Sequence, residues 1–353
     1  MRTPLFLAAI GFAALQCGCD GGGTGHDAGP AGDAAQPDAA TEADAGFGPP
    51  IPGLGVSLDQ LDFFLGNRRG ILVWVNAGGQ IEMLDFRSSA PQVTTLVSDP
   101  DSVNPLISPD GTRVVYSQGL PNGPKIIKVK PLQPAAAAQV IGLGDIGYWH
   151  FGSGEEHVVY CDWSDKLQNG SDGETFRQQL VTGGVALDGT ASAIHNRAMD
   201  GGANADLTWL GQVYDQLWAH DLANGLDYPT AKFFQQDGTV ADHQSCNGSM
   251  APDGGARLLT LVIPHDWVRI YSYDADDDRF EESSRFELPP GMVEWEFPEW
   301  STDPNFFTAV LRRSDYRNRL FLLKVQPGDV VPEQVEITDD TADVSYSHLW
   351  LAP

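Results

Sequence analysis

The sequence predicts an all-β propeller of six four-stranded blades, closed by its C-terminal strand. Three observations predict it. A turn-then-strand segment recurs along the chain, its copies stand 42 to 53 residues apart, and each interval holds about four short strand-forming runs. Periods of about 40 to 50 residues built from short strands mark propeller blades.

The clearest copy is "ISPDGTRVVYS" at 107 to 117. Pro109-Asp110-Gly111 is turn chemistry, and Val114-Val115-Tyr116 is strand chemistry. "GSGEEHVVYC" at 152 to 161 and "APDGGARLLTL" at 251 to 261 follow the same plan. "WSTDPNFFTAV" at 300 to 310 puts Asp303-Pro304-Asn305 in the turn and Phe306-Phe307 in the strand. "MDGGANADLTWL" at 199 to 210 and "GNRRGILVWV" at 66 to 75 are weaker copies. Marking each turn by one position gives 68, 110, 154, 200, 253 and 303. Further strands fill the intervals, such as "KIIKVKP" then "AQVIGLG", "WVRIYSYD" then "RFEESSRFEL", and "RLFLLKV" then "EQVEIT".

The last residues, "SYSHLWLAP", read as the first strand of one more repeat. That strand completes the blade begun by residues 71 to 97 and leaves no open sheet edge. Seven blades is the alternative, with "SLDQLDFFLG" opening a blade of its own.

The segments outside the repeat divide the chain. Residues 1–19 read as an export signal: after Arg2 comes the apolar run "PLFLAAIGFAALQCGC", too short for a stable membrane span. Cys17 and Cys19 close that run, and the arrangement resembles a bacterial lipoprotein signal. The resemblance implies that one of them is lipidated. Cys19, preceded by Gly18, matches better than Cys17, preceded by Gln16, although Gln16 stands where such signals usually carry Leu. Residues 20–53 are Gly/Ala/Asp/Pro-rich with little to bury, which predicts a disordered tether. His26 within it is expected to be solvated. Residues 54–353 form the propeller.

The repeat also resembles a family. In "VNPLISPDG" and "EFPEWSTDP", Pro105 and Pro298 lie five residues before Asp110 and Asp303. This is similar to the TolB-like, WD-repeat-like propeller repeat of bacterial envelope proteins. The resemblance covers most of residues 54–353 and is strongest at 105–117, 249–261 and 298–308. It implies a propeller in the cell envelope, on the periplasmic or the surface side, held to a membrane through a lipid anchor only.

Composition narrows the partners. The chain has 21 Lys+Arg against 48 Asp+Glu, a formal charge of −27. Nucleic acid is excluded, because phosphate binding needs clustered basic residues. Adsorption on anionic lipid is disfavoured on the same ground. The 42% hydrophobic content supplies a sizeable core.

Most conspicuous residues have structural readings. Asp110 and Asp253 are expected to bond turn backbone, with Gly111 and Gly254 supplying positive φ. Trp74, Trp149, Trp209 and Trp300 are expected in the core between blades. "YDADDDRFEE" spaces Asp274, Asp276 and Asp278 like calcium ligands, but Arg279 and Arg285 stand where an EF-hand needs Gly and Glu. "DWSDKLQNGSDGE" at 162 to 174 is a similar acidic loop. Cys161 and Cys246 fall in non-adjacent blades and read as thiols rather than a disulfide.

Candidate site residues come from position. In a propeller the innermost strand of each blade lines the central channel, so residues just before it gather at one mouth. They are His195, Asn196 and Arg197; Asp242, His243 and Asn247; Glu294 and Glu296; and His348, beside Ser347. Such groups can hold a polar ligand or a metal, and the metal is left open. His150, His157, His220 and His265 fall outside this set, and no resident cofactor is expected.

Two functions fit. The first is a non-enzymatic binding or scaffolding module for a protein or glycan partner; the chain has no Gly-x-Ser-x-Gly, His-Glu-x-x-His or P-loop motif. The second is a carbohydrate-active, metal-assisted polysaccharide lyase, because "EFPEWSTDPNFF" is distantly similar to the oligogalacturonate-lyase propeller. Phe297 stands where such families carry His, and the acidic charge repels an anionic uronate.

Overall fold

In the computed structural model, the structure describes residues 47–120, 125–150, 155–162, 173–212, 216–241, 245–330 and 332–353. Six antiparallel sheets form a six-bladed propeller. From the centre outward, the first blade is Val344–Leu351, Gly70–Asn76, Ile81–Asp85 and Val93–Val97. The second is Ser102–Ile107, Arg113–Gly119, Lys125–Pro131 and Gln139–Leu143. The third is Ile146–His150, Glu156–Asp162, Glu174–Leu180 and Ser192–His195. The fourth is Trp209–Gln212, Trp218–Asp221 and Leu226–Pro229; residues 201–204 take its inner position through Gly201 N to Gly211 O and Gly211 N to Gly202 O, each 2.9 Å. The fifth is Ser245–Met250, Arg257–Val262, Trp267–Asp274 and Arg279–Glu287, widened at its outer edge by the parallel strands Phe233–Phe234 and Gly328–Val330. The sixth is Met292–Trp300, Phe306–Arg313, Asn318–Lys324 and Gln334–Glu336.

The C-terminal strand closes the ring as the sequence predicts. It pairs antiparallel with Gly70–Asn76, from Gly70↔Leu351 to Asn76↔Val344. No seventh blade opens at "SLDQLDFFLG". Ser57 and Gln60 form a reciprocal capping box there and start a helix, Leu58–Phe64. Leu61 and Phe64 of that helix, with Ile51, Leu54 and Val56, pack on the first and sixth blades. The signal, both its cysteines, His26 and residues 20–46 of the tether lie outside the described residues. Among the described residues no helix is long and apolar enough to cross a membrane.

The turns behave largely as the repeat implies. Asp110 accepts from Thr112 N at 3.1 Å, and Gly111 takes φ +67°. Asp253 accepts from Gly255 N at 3.0 Å, but Gly254 needs no positive φ. In the fourth blade the turn lies at Asn204–Thr208 rather than at position 200, with Asn204 Oδ1 accepting from the Thr208 and Trp209 amides.

These aspartates also hold the blades together. Asp110 pairs with Arg113 at 2.8 Å, and Arg113 lies 5.1 Å over the Trp149 ring of the next blade. Asp253 pairs with Arg257, which lies 5.2 Å over Trp300 of the next blade. Each tryptophan donates Nε1–H back to the preceding inner strand, Trp149 to Leu106 O and Trp300 to Ser249 O, both at 2.9 Å. The repeat therefore encodes an inter-blade clasp as well as a turn.

Candidate functional site

The inner strands share an irregularity that shapes the channel. Four carry a β-bulge with a left-handed residue: Asn104, Asn247, Phe297 and Tyr346, at φ 51°, 43°, 45° and 39°. Non-glycine residues rarely adopt that region, and a bulge re-aims the side chains around it.

Two residues beyond each bulge come Leu106, Ser249, Glu299 and His348, which with Tyr148 make a central layer. Tyr148 OH donates to Asp200 O at 2.6 Å and reaches Gly248 O at 3.4 Å, so its side chain extends from the third blade toward the fifth. Gly202 makes room for it; a Cβ there falls 2.4 Å from the ring. Ser249 Oγ donates to Glu299 Oε1, and His348 Nδ1 accepts from Ile107 N at 3.1 Å. Burial pushes the Glu299 carboxyl up to about 8 and the His348 imidazole down to about 3. Both groups are therefore mainly uncharged at pH 7. Leu106 apart, the layer, here called the plug, is polar and mainly uncharged.

The charged groups gather beyond the bulges, where the inner strands begin, between the fifth and sixth blades. Cys246, one residue before the Asn247 bulge, places Sγ 3.0 Å from His265 Nε2. His265 sits in the hairpin between Arg257–Val262 and Trp267–Asp274, at φ +77° after a cis Ile263-Pro264 bond. Its carbonyl accepts from Trp295 N at 2.9 Å, which ties the hairpin to the inner strand of the sixth blade. On the other side of the ring, His265 Nδ1 is 3.0 Å from Glu294 Oε1 and 3.9 Å from Glu296 Oε1. Arg312 spans both carboxylates, with Nη1 2.5 Å from Glu294 and Nη2 2.8 Å from Glu296.

His265, Glu294 and Glu296 are close enough to share a metal, their ligand atoms lying within 4.8 Å of one another. The donor set fits one poorly. The Arg312 guanidinium already answers both carboxylates, and a carboxylate only accepts, so Nδ1 carries the histidine proton and Nε2 turns its lone pair to the thiol.

The other predicted site residues are dispersed. His195 ends the outermost strand of the third blade, so the width of the sheet carries it to the rim, away from the mouth. There its ring lies 4.4 Å from His220, and its Nε2 is 3.8 Å from Asp227, which His220 Nδ1 meets at 2.8 Å. His195 Nδ1 accepts from Arg197 N at 3.2 Å, which leaves the proton on Nε2, the nitrogen a metal would need. Arg197 lies 4.1 Å over Trp218, and Asn196 is exposed. His348 belongs to the plug. Asp242 and His243 lie outside the described residues. The structure thus brings together Asn247, Glu294 and Glu296, and adds His265, Cys246 and Arg312.

Position alone could have found His265. The hairpin after a blade's second strand returns to the end where its first strand begins. Cys161 and Cys246 are both buried and not joined in a disulfide. The acidic turn at Asp274–Asp278 is closed by its own bonds and by Arg279, which pairs with Asp277 and Glu281.

The fold is that of a six-bladed propeller. No protein-family profile and no curated protein sequence matches the chain. Among solved structures, TolB from Acinetobacter baumannii superposes with a TM-score of 0.53 at 15% identity, over 80% of this chain and 66% of that one, slightly under two thirds of its length. A periplasmic gluconolactonase of Pseudomonas aeruginosa gives 0.44 at 14% identity, over 76% and 82% of the two chains. An oligogalacturonate lyase in complex with manganese gives 0.37 at 12%, over 69% and 68%. At these identities the likeness is one of fold.

Proposed function

We propose that this chain is an exported envelope protein, lipid-anchored at Cys19 or Cys17, whose propeller binds a protein or glycan partner at the mouth between the fifth and sixth blades. The observation that carries this reading is the convergence of Glu294, Glu296, His265 and Arg312 at one end of the channel. The acceptors of the mouth suit a partner rich in hydroxyls, amides or positive charge, in keeping with a formal charge of −27.

The lyase reading has less support. A metal-assisted lyase needs an open set of ligands, whereas His348 bonds to backbone, His195 stands on the rim and Arg312 holds the mouth carboxylates.

A photo-reactive amino acid at exposed Val293, in the mouth strand, tests the binding reading against one at exposed Asn305, at the other end of the same blade. Capture of an envelope partner in intact cells from 293 but not from 305 is the expected result. Equal yields, or none from 293, contradict it. Acyl labelling lost in Cys19→Ser or in Cys17→Ser identifies the anchored residue, and labelling of neither removes the anchor from the proposal.

A further inference from the structure

We propose that Cys246, His265 and Glu294 act as nucleophile, base and orienting group, and that the chain performs acyl transfer through a thioester on Cys246. This goes beyond the binding reading, since a partner can be held at the mouth with no chemistry there.

The geometry is that of an activated nucleophile. A thiol lies 3.0 Å from an imidazole nitrogen, whose other nitrogen lies 3.0 Å from a carboxylate. Glu294 fixes the tautomer, because it accepts from Nδ1–H and leaves Nε2 to take the thiol proton. The three groups come from three separate segments: the inner strand of the fifth blade, its second hairpin and the inner strand of the sixth. The local backbone is unusual at two of them, left-handed at Asn247 beside the thiol and at His265 itself. Asn247 Nδ2, 3.9 Å from Sγ, is an amide donor beside the place where a carbonyl oxygen gathers charge.

The reaction balances without any redox partner. The Sγ proton passes to His265 Nε2 as sulfur bonds to the carbonyl carbon of an ester. The carbon–oxygen bond to the leaving group breaks, and the alkoxide takes the proton from Nε2. Water then attacks the thioester, giving up a proton through Nε2 to the departing sulfur, and releases the acid. The donor is an uncharged or cationic ester: Glu294 and Glu296 lie beside His265, and Arg312, already bound to both, is not available to an anion. Glu294 is a positioning residue, acting through His265.

Cys246 has no exposed surface, so attack requires local opening. Cys161, 1% exposed in the third blade, is the internal control for burial. The test uses the folded chain with p-nitrophenyl acetate and, separately, iodoacetamide. The expected result is a burst of about one equivalent of p-nitrophenolate per chain, the fingerprint of a covalent acyl-enzyme, with the acetyl group mapped to Cys246. Iodoacetamide is expected to label Cys246 at least tenfold faster than Cys161, as an activated thiolate requires. His265→Gln and Cys246→Ser abolish the burst. Glu294→Gln slows it at least tenfold and Glu294→Asp restores part of the rate, a pattern that a purely structural role does not give. No burst from the wild-type chain, equal labelling of the two cysteines, or a burst that survives Cys246→Ser overturns the proposal. Because crosslinking from Val293 requires no thiol, failure of the chemistry and failure of the binding reading are separable.

Discussion

His265 Nε2 meets Cys246 Sγ at 3.0 Å although the two residues stand 19 positions apart in the chain. Strand register explains the meeting. Ser245 pairs with Val262 and Cys246 with Leu261, so the hairpin beginning after Val262 turns back over the start of the inner strand. His265 itself takes φ +77° in that hairpin. The mouth site is thus a product of blade topology and lies outside the repeated turn.

The inter-blade clasp predicts where the ring is weakest. Arg113 is 2% exposed, stacks on Trp149 and pairs with Glu156, itself 6% exposed. Arg113→Ala leaves Glu156 buried without its guanidinium and is expected to cost about 3–5 kcal/mol. Arg257→Ala, at the more exposed copy, is expected to cost about 1 kcal/mol. Urea unfolding of the two variants checks the order; equal losses contradict it.

The plug predicts a steric limit at Gly202. Its φ is +71°, and a Cβ lands 2.4 Å from Tyr148. Gly202→Ala is expected to destabilise by about 2 kcal/mol or more, because both backbone and ring must move. Tyr148→Leu in the same chain removes the ring and is expected to recover part of that loss. Thermal unfolding of the single and double variants measures the coupling.

The same layer predicts an unusual dependence on pH. The Glu299 carboxyl lies near 8 in the native state against 4.5 ordinarily, so between those values the native state binds the extra proton and stability falls as pH rises. His348, near 3 against 6.5, works in the opposite sense, and stability rises with pH between those values. The two slopes oppose each other from pH 4.5 to 6.5, and above 6.5 only the Glu299 slope remains. Urea midpoints measured between pH 6.5 and 8 should fall for the wild-type chain and stay flatter for Glu299→Gln; parallel curves contradict the assignment.

Arg312 predicts a gain of function. Replaced by Met, it no longer neutralises Glu294 and Glu296, and those carboxylates with His265 become a three-ligand set. Arg312→Met is expected to bind Zn²⁺ by calorimetry where the wild-type chain does not, with the ion supplying the lost positive charge. Absence of binding in the variant means that something besides the arginine keeps metal out.

The blades, their number and the C-terminal closure were legible because each turn repeats its own local chemistry, as Asp110-Gly111 shows. The helix at Leu58–Phe64 was harder to see, since its apolar residues resemble a short strand until the Ser57–Gln60 box is noticed. The site was legible only in part. Asn247, Glu294 and Glu296 lie on inner strands, whose place follows from the repeat. His195 precedes a blade in sequence but ends the strand farthest from the channel. His265 and Arg312 reach the mouth through hairpin return and strand pairing, which no local spacing displays.

The pairing of thiol and imidazole is read out by the pH profile of Cys246 alkylation in the unmodified chain. Among the described residues, Glu294, Glu296 and Arg312 are charged groups close to the pair. An ordinary thiol loses reactivity about tenfold per pH unit below about 8.5. If His265 takes the Cys246 proton as the thiol attacks, the rate at 246 falls less than about fivefold from pH 8 to pH 6, while the rate at Cys161 falls about a hundredfold. Two profiles that fall together contradict the account.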